Sequence, residues 1–297
     1  MGGLSKEFQK QTLIGFNPII LEQYLTILFF FIFGLAGGFL GSILGVGGGI
    51  IFVPILTHFI RLLGVEGDDL VKCVLANSLL TIVFTGLSAS YNQYKQGTYY
   101  WRPVMLTALA GMVSSIAVTW AITSGSWYNK QLFSLIFISL LVTVSLRVFL
   151  KRKQTIDQIA LETIPPIRFA MVGLGAGIVT ALSGLGGGLV MVPAFSLLLK
   201  IDIKKSISIS TGVILFFALP LTLLYLYKQP TVFPSTVFHI GHVIPQLVLP
   251  MGIGVVVASK FGVKAGSRLS EDKLKLMLLL LVMTVTIKML WETFAHA

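Results

Sequence analysis

Long uncharged, mostly apolar runs alternate along this chain with short clusters of charge. The runs cover residues 23–60, 73–94, 103–129, 131–146, 169–199, 206–227, 229–259 and 276–287. A helix of about 20 apolar residues crosses about 30 Å of hydrocarbon, so most of these runs are long enough to span a bilayer. The two shortest, 131–146 and 276–287, need their flanking Lys and Arg to snorkel outward. Backbone amides find no water partner in lipid, and the runs lack the alternation of a barrel strand, which predicts helices. The expected fold is therefore an all-α integral membrane protein with eight hydrophobic segments.

The first run does not fit one span. As a continuous helix, residues 23–60 would be about 57 Å long, nearly twice the hydrocarbon thickness. Residues 34–56 also match residues 173–195 at a constant offset of 139, with nine identities in 23 positions. Gly45, Gly47, Gly48, Gly49, Val53 and Pro54 recur as Gly184, Gly186, Gly187, Gly188, Val192 and Pro193. Gly34, Leu35 and Gly38 recur as Gly173, Leu174 and Gly177. Tyr94, Lys95 and Gln96 recur as Tyr227, Lys228 and Gln229 at an offset of 133, which also pairs Asn77 and Ser78 with Ser210 and Thr211. The organisation read from this is a polar N-terminal segment 1–22, a membrane repeat 23–150, a basic linker 151–167 and a second membrane repeat 168–297, each repeat having four segments.

Each first segment is expected to break at its Gly-x-Gly-Gly-Gly, Gly45–Gly49 and Gly184–Gly188. There, glycines lower helix stability by about 1 kcal/mol each and permit positive φ. A helix restarting after such a break has free amides and a positive dipole end, an anion site that needs no buried cation. Two breaks, one per repeat, would then face one shared cavity, as in transporters built from internal repeats. The competing reading is that the glycines only let helices pack closely. A dinucleotide or P-loop reading fails, since no strand precedes the glycines and no Lys-Ser/Thr follows them.

Charge separates two topologies. If every segment crosses once, the repeats run parallel and Lys plus Arg divide 11 against 11. If each glycine-broken segment is re-entrant, the repeats are inverted and the division is 15 against 7. A bias of that size is what insertion produces, so the inverted arrangement is preferred, with the linker cytoplasmic. The net charge of +11 sits between spans, which argues against a nucleic-acid partner. Residues 1–22 contain no short apolar core followed by a small-residue cleavage site, so no signal peptide is expected. Cys73 is the only cysteine and reads as a buried spectator thiol.

No Asp or Glu falls inside an expected span, which argues against a carboxylate-centred cation pathway. An anion site of amides and hydroxyls remains. Its candidates are Ser42, Gly47, Gly48, Gly49, Asn77, Ser78 and Thr81 from the first repeat. The second repeat offers Ser183, Gly186, Gly187, Gly188, Ser210 and Thr211. Each hydroxyl has a competing duty to its own helix backbone. Lys95 and Lys228 occupy equivalent helix ends and are candidates for the two mouths, with interfacial snorkelling as the alternative. His58, His239 and His242 are candidates for proton coupling, against plain interfacial placement. Trp101, Trp127 and Trp291 read as aromatic-belt anchors. No nucleophile–base set or metal-ligand spacing is present, so neither an enzyme nor a cofactor is expected.

The duplicated glycine segments 34–56 and 173–195, the Val-Pro after each and the short polar pairs in the helices that follow resemble the TauE/SafE family of sulfite exporters, which is 4-toluene sulfonate uptake permease-like. The resemblance covers nearly the whole chain. It implies a multi-pass carrier of the inner (plasma) membrane that moves sulfite or related sulfur-containing or organosulfonate anions. Such a carrier would most simply be an exporter working by alternating access between the repeats. An anion channel and a permease for another small organic anion stay open, as do the coupling ion, H+ among the candidates, and the oligomeric state.

Overall fold

The structure is a computed structural model that describes residues 18–125, 127–150, 160–231, 233–234 and 237–295. The N-terminal residues 1–17 and most of the basic linker thus lie outside the described residues, as does the side chain of Trp291. The described residues form α1 (Pro18–Leu44), α2 (Gly49–Leu62), α3 (Gly67–Lys95), α4 (Trp101–Ser124) and α5 (Lys130–Leu150) in the first half. The second half has α6 (Pro166–Ser183), α7 (Gly188–Pro193), α8 (Ile203–Tyr227), α9 (Pro245–Arg268) and α10 (Glu271–Ala295). The helix α7 runs on as a π-helical turn over Ala194–Leu198, directly after Pro193, which has no N–H to give the α ladder.

Both expected breaks occur, between Leu44 and Gly49 and between Ser183 and Gly188. Each reverses the chain. The Phe59 ring near the end of α2 packs on Phe29 and Phe30, midway along α1, at centroid distances of 4.8 and 5.1 Å. Phe195, after α7, packs on Phe169 at the start of α6, at 6.1 Å. The α1–α2 and α6–α7 units are therefore hairpins that return to the side they entered from.

Contacts between helices fix the directions. Gly34 meets Met251, Gly38 meets Val255 and Gly262 meets Phe39, so α1 and α9 run parallel. Gly173 meets Thr107 and Gly177 meets Gly111, so α6 and α4 run parallel. Gly252 lies on Phe84, and the Ser259 hydroxyl donates to Ser88, which sets α9 parallel to α3. Gly212 meets Val104 and Gly111 meets Phe217, which sets α4 parallel to α8. Gly86 meets Leu215, and Ser208 bonds Gln93, so α3 and α8 cross antiparallel at the centre. It follows that α1 and α6 point opposite ways and the halves are inverted. The main packing partners exchange accordingly: α1 on α9 mirrors α6 on α4, and α3 on α9 mirrors α8 on α4, while α5 packs on α10.

The two glycine readings divide by position. A Cβ at Gly173 would stand 2.2 Å from the Thr107 carbonyl oxygen, and one at Gly34 would stand 2.1 Å from that of Met251. These repeated glycines serve close helix crossings, the means by which membrane helices associate where lipid and leucine are equally apolar. The glycines at 45–49 and 184–188 make the breaks.

Six helices are long and apolar enough to cross a membrane: Tyr24–Leu44, Gly67–Lys95, Trp101–Ser124, Pro166–Ser183, Ile203–Tyr227 and Pro245–Arg268. That count is made among the described residues, where α5 contributes a shorter apolar helix over Gln131–Thr143. Large apolar side chains such as Leu109, Val113, Ile253 and Leu280 face outward, as lipid contact requires. Trp101 and Trp127 are exposed at helix ends. One end of the bundle collects Lys95, Arg102, Lys200, Lys204, Lys205, Lys264 and Arg268, and is called here the basic end.

Candidate functional site

At the centre the two breaks meet. Gly45, Gly47 and Gly48 have φ of +69°, +78° and +80°, and Gly184, Gly186 and Gly187 have +68°, +73° and +73°. This left-handed region strains any other residue, which explains the spacing of the motif. Gly48 and Gly187 cap the returning helices in this conformation. The breaks are tied across the halves by reciprocal hydrogen bonds. Ser78 Oγ donates to the Gly184 carbonyl at 2.8 Å, and Ser210 Oγ donates to the Gly45 carbonyl at 2.7 Å. The equivalent residues are thus Ser78 and Ser210, at an offset of 132, and the pairing of Asn77 and Ser78 with Ser210 and Thr211 is corrected by one position. That single step decides which hydroxyl faces the opposite break on a helix turning about 100° per residue.

The breaks touch directly. A Cβ at Gly188 would lie 2.3 Å from the Gly45 carbonyl oxygen, and one at Gly49 would lie 2.8 Å from Leu185 Cα. Ile82 and Ile214 pack against Gly47 from α3 and α8.

The other sequence candidates separate. Thr81 donates to Asn77 O and Thr211 to Ile207 O, each at 2.8 Å and four residues back. Ser183 donates to Val179 O at 2.7 Å and accepts from Leu185 N at 3.3 Å, closing the end of α6. Asn77 donates to Cys73 O at 2.7 Å and His242 O at 3.0 Å, and accepts from Ile244 N at 2.8 Å. It ties α3 to the loop before α9, toward the end opposite the basic one. His58 is exposed on α2. Lys95 is exposed and lies over the Tyr91 ring at 4.6 Å. Lys228 follows α8, at the other end of the bundle from Lys95.

Ser42 differs from the rest. It is 1% exposed, its Oγ has no partner among the described residues, and it lines a cavity of about 370 Å³ beside the break, opening toward the basic end. Gln93, Thr98, Lys204, Lys205 and Ser208 also line it, with Ile43, Ile207 and Val263 as apolar wall. Asp202 stands at its edge, with Oδ1 accepting Lys204 N at 2.8 Å and Lys205 N at 3.0 Å as the N-cap of α8. Lys204 Nζ donates to Ser267 O at 2.9 Å. The Ser208 hydroxyl is placed to donate to Gln93 Oε1 or to Thr98 O.

The opposite end buries an acid and a base side by side, Asp69 and His242. Asp69, 4% exposed, accepts from Thr231 N at 2.9 Å and Thr231 Oγ1 at 2.6 Å through Oδ2. His242, 2% exposed, places Nε2 3.6 Å from Asp69 Oδ1 and packs edge-on against Tyr225. Burial holds the His242 imidazole below its ordinary range, with Asp69 pulling the other way. His239 instead stacks on Phe233 at 4.0 Å. Asp69 and Asp202 start matching helices at the offset of 133 that Tyr94–Gln96 share with Tyr227–Gln229, which was the available signal for both ends. Among the described residues no three His, Cys, Asp or Glu side chains gather as metal ligands would.

Comparison with known proteins finds a family match and several relatives. The profile of a family described as Sulfite exporter TauE/SafE matches residues 30–289. A probable membrane transporter protein of Methanocaldococcus jannaschii is 26% identical over 249 residues, covering 83% of this chain and 89% of the relative. One from Haemophilus influenzae is 26% identical over 265 residues, covering 89% and 97%. The probable membrane transporter protein YunE of Bacillus subtilis is 24% identical over 279 residues, covering 88% and 96%.

Proposed function

The chain belongs to the sulfite exporter TauE/SafE family of multi-pass membrane transporters, and from that premise we propose that it is a secondary carrier of small sulfur-containing anions, sulfite or organosulfonates, exported across the inner membrane. The observation that carries the reading is the crossed pair of bonds, Ser78 to Gly184 and Ser210 to Gly45, joining two inverted re-entrant hairpins at the middle of the bundle. Each break is held by the central helix of the other half, so a shift of one half is passed to the other.

Inversion supplies the alternating step. The two ends are built from equivalent helices, yet one opens into a cavity where, among the described residues, the other buries Asn77, Asp69, Tyr225 and His242. Exchanging the conformations of the halves would close the first and open the second, with the anion near the breaks in between. The candidate glycines and hydroxyls then form the pivot, and Lys95 and Lys228 mark the two mouths. The excess of Lys and Arg supports an orientation with the basic end, and so the open cavity, toward the cytoplasm. An export substrate enters from there.

The test is flux in proteoliposomes with sulfite, sulfate, thiosulfate and sulfonates under imposed pH and voltage gradients. A carrier gives saturating flux and counterflow driven by substrate on the far side. Flux that rises linearly, without counterflow, would identify a channel, and movement of none of these anions would refute the substrate class.

A further inference from the structure

We propose that the cavity at the basic end is a binding site for the transported anion, and that it is shaped for a small organic anion, a sulfonate or carboxylate head on a short hydrocarbon tail, in preference to a bare inorganic oxyanion. The proposal rests on the carrier reading above and adds to it where the anion sits.

The first observation is Ser42. A buried hydroxyl without a partner is costly, so a donor held open in this way on the last turn of α1 is suited to a partner that the chain does not itself provide. Three residues later comes Gly45, the start of the break, so an occupant bound at Ser42 bears on the element that must move.

The second is charge. Lys204 and Lys205 line the cavity against one carboxylate, Asp202, whose Oδ1 is already engaged by the N-terminal amides of α8. That leaves an excess of one positive charge beside the amide of Gln93, itself 3% exposed. An anion there takes charge-assisted hydrogen bonds from Lys205 and neutral ones from Gln93 Nε2 and Ser42 Oγ.

The third is the broken symmetry of the repeats. At the offsets the glycine segments and the crossed bonds define, Ser42 corresponds to Ala181 and Ser208 to Ala76. Both counterparts are fully buried. A polar group required by the fold would be expected in both halves. These occur in one only, and at the open end.

Size and lining indicate the tail. At about 30 Å³ per water, the cavity of about 370 Å³ has room for about a dozen waters. A sulfite ion of four heavy atoms fills a small part of that. Ile43, Ile207 and Val263 offer an apolar wall to the remainder.

The experiment is calorimetric binding of propane-1-sulfonate and of sulfite to the purified full chain in detergent, with counterflow of both in proteoliposomes. Propane-1-sulfonate is expected to bind tighter, by up to about fourfold per methylene buried. Lys205→Gln is expected to weaken both ligands about 10- to 100-fold, and Ser42→Ala severalfold. Ser42→Ala should not lower the melting temperature of the empty protein, because the hydroxyl it removes has no partner, which separates loss of a ligand contact from misfolding. Lys260→Gln, on the exposed face of α9, should bind as the wild type does. Wild-type affinity in both Lys205→Gln and Ser42→Ala, with counterflow intact, would overturn this site and leave the carrier reading standing. Tighter binding of sulfite than of propane-1-sulfonate would overturn the organic-anion shape. Absence of binding and counterflow of any anion by the wild type would overturn the carrier reading as well.

Discussion

Replacing Gly188 by Ala isolates the contact between the two breaks. Gly188 does not have a positive φ, so alanine meets no backbone strain there, only the opposite break. Its Cβ would sit 2.3 Å from the Gly45 carbonyl oxygen and 2.7 Å from Val46 Cα. The breaks would have to part by about 0.7 Å merely to reach 3.0 Å, and both partners are backbone that cannot rotate away. Overpacking of this kind costs about 1–3 kcal/mol. At about 2–4 °C per kcal/mol for a chain of this size class, the melting temperature should fall by several degrees. The control is Gly175→Ala on α6, where nothing stands within 4 Å of the added Cβ. Helix propensity alone should leave that variant unchanged or up to about 1 kcal/mol more stable. Melting in detergent, followed by fluorescence-detected size exclusion, and sulfonate counterflow would be measured on both. Gly188→Ala should lose stability and most of its flux while Gly175→Ala keeps both. Equal behaviour of the two variants would refute the direct meeting of the breaks.

Other perturbations follow the same geometry. Ser78→Ala and Ser210→Ala each orphan a carbonyl of the opposite break and should cost similar amounts, about 1–3 kcal/mol in chemical or thermal melts; a large effect of one and none of the other would deny the crossed bonds. Asn77→Ala removes three hydrogen bonds and should destabilise by about 2–4 kcal/mol, whereas Thr81→Val, which loses one bond to its own helix, should cost under about 1.5 kcal/mol. Burial lowers the pKa of His242 in the folded chain below the unfolded value of about 6.5. Between those two values the unfolded chain binds the proton and the folded one does not. Stability should therefore be full above pH 7 and decline as pH falls through about 6.5, and His242→Gln should flatten that part of the melting profile. A profile unchanged by His242→Gln would refute it.

How much of this was legible in the sequence depended on the kind of pattern involved. Spans, breaks and the inverted course of the halves are written in local and periodic features: uncharged runs, the repeated Gly-x-Gly-Gly-Gly and the uneven division of Lys and Arg. Sorting the glycines was not possible from spacing, because Gly38 and Gly48 look alike until a neighbour is placed. One is pressed on Val255 of another helix, and the other turns the chain at φ +80°. The hydroxyl candidates were chosen by residue type, but a one-residue error in offset moved the pairing from Ser78 with Ser210 to Asn77 with Ser210. Thr81, Thr211 and Ser183 bond their own helices. The cavity was out of reach for a different reason. Ser42, Gln93 and Lys205 come from three helices far apart in sequence, and only the crossing of α3 with α8 brings them to one end. His242 was weighed between proton coupling and interfacial placement, and it is buried beside Asp69, which accepts from Thr231 after α8.

The inverted halves, on which the carrier depends, are tested most directly by the sidedness of two equivalent loops. In a Cys73→Ala background, single cysteines at the exposed positions Glu66, before α3, and Lys200, before α8, would be labelled with a membrane-impermeant thiol reagent in oriented vesicles. The account predicts labelling from opposite sides, with Lys200→Cys reacting from the cytoplasm. Labelling of both positions from the same side would contradict it.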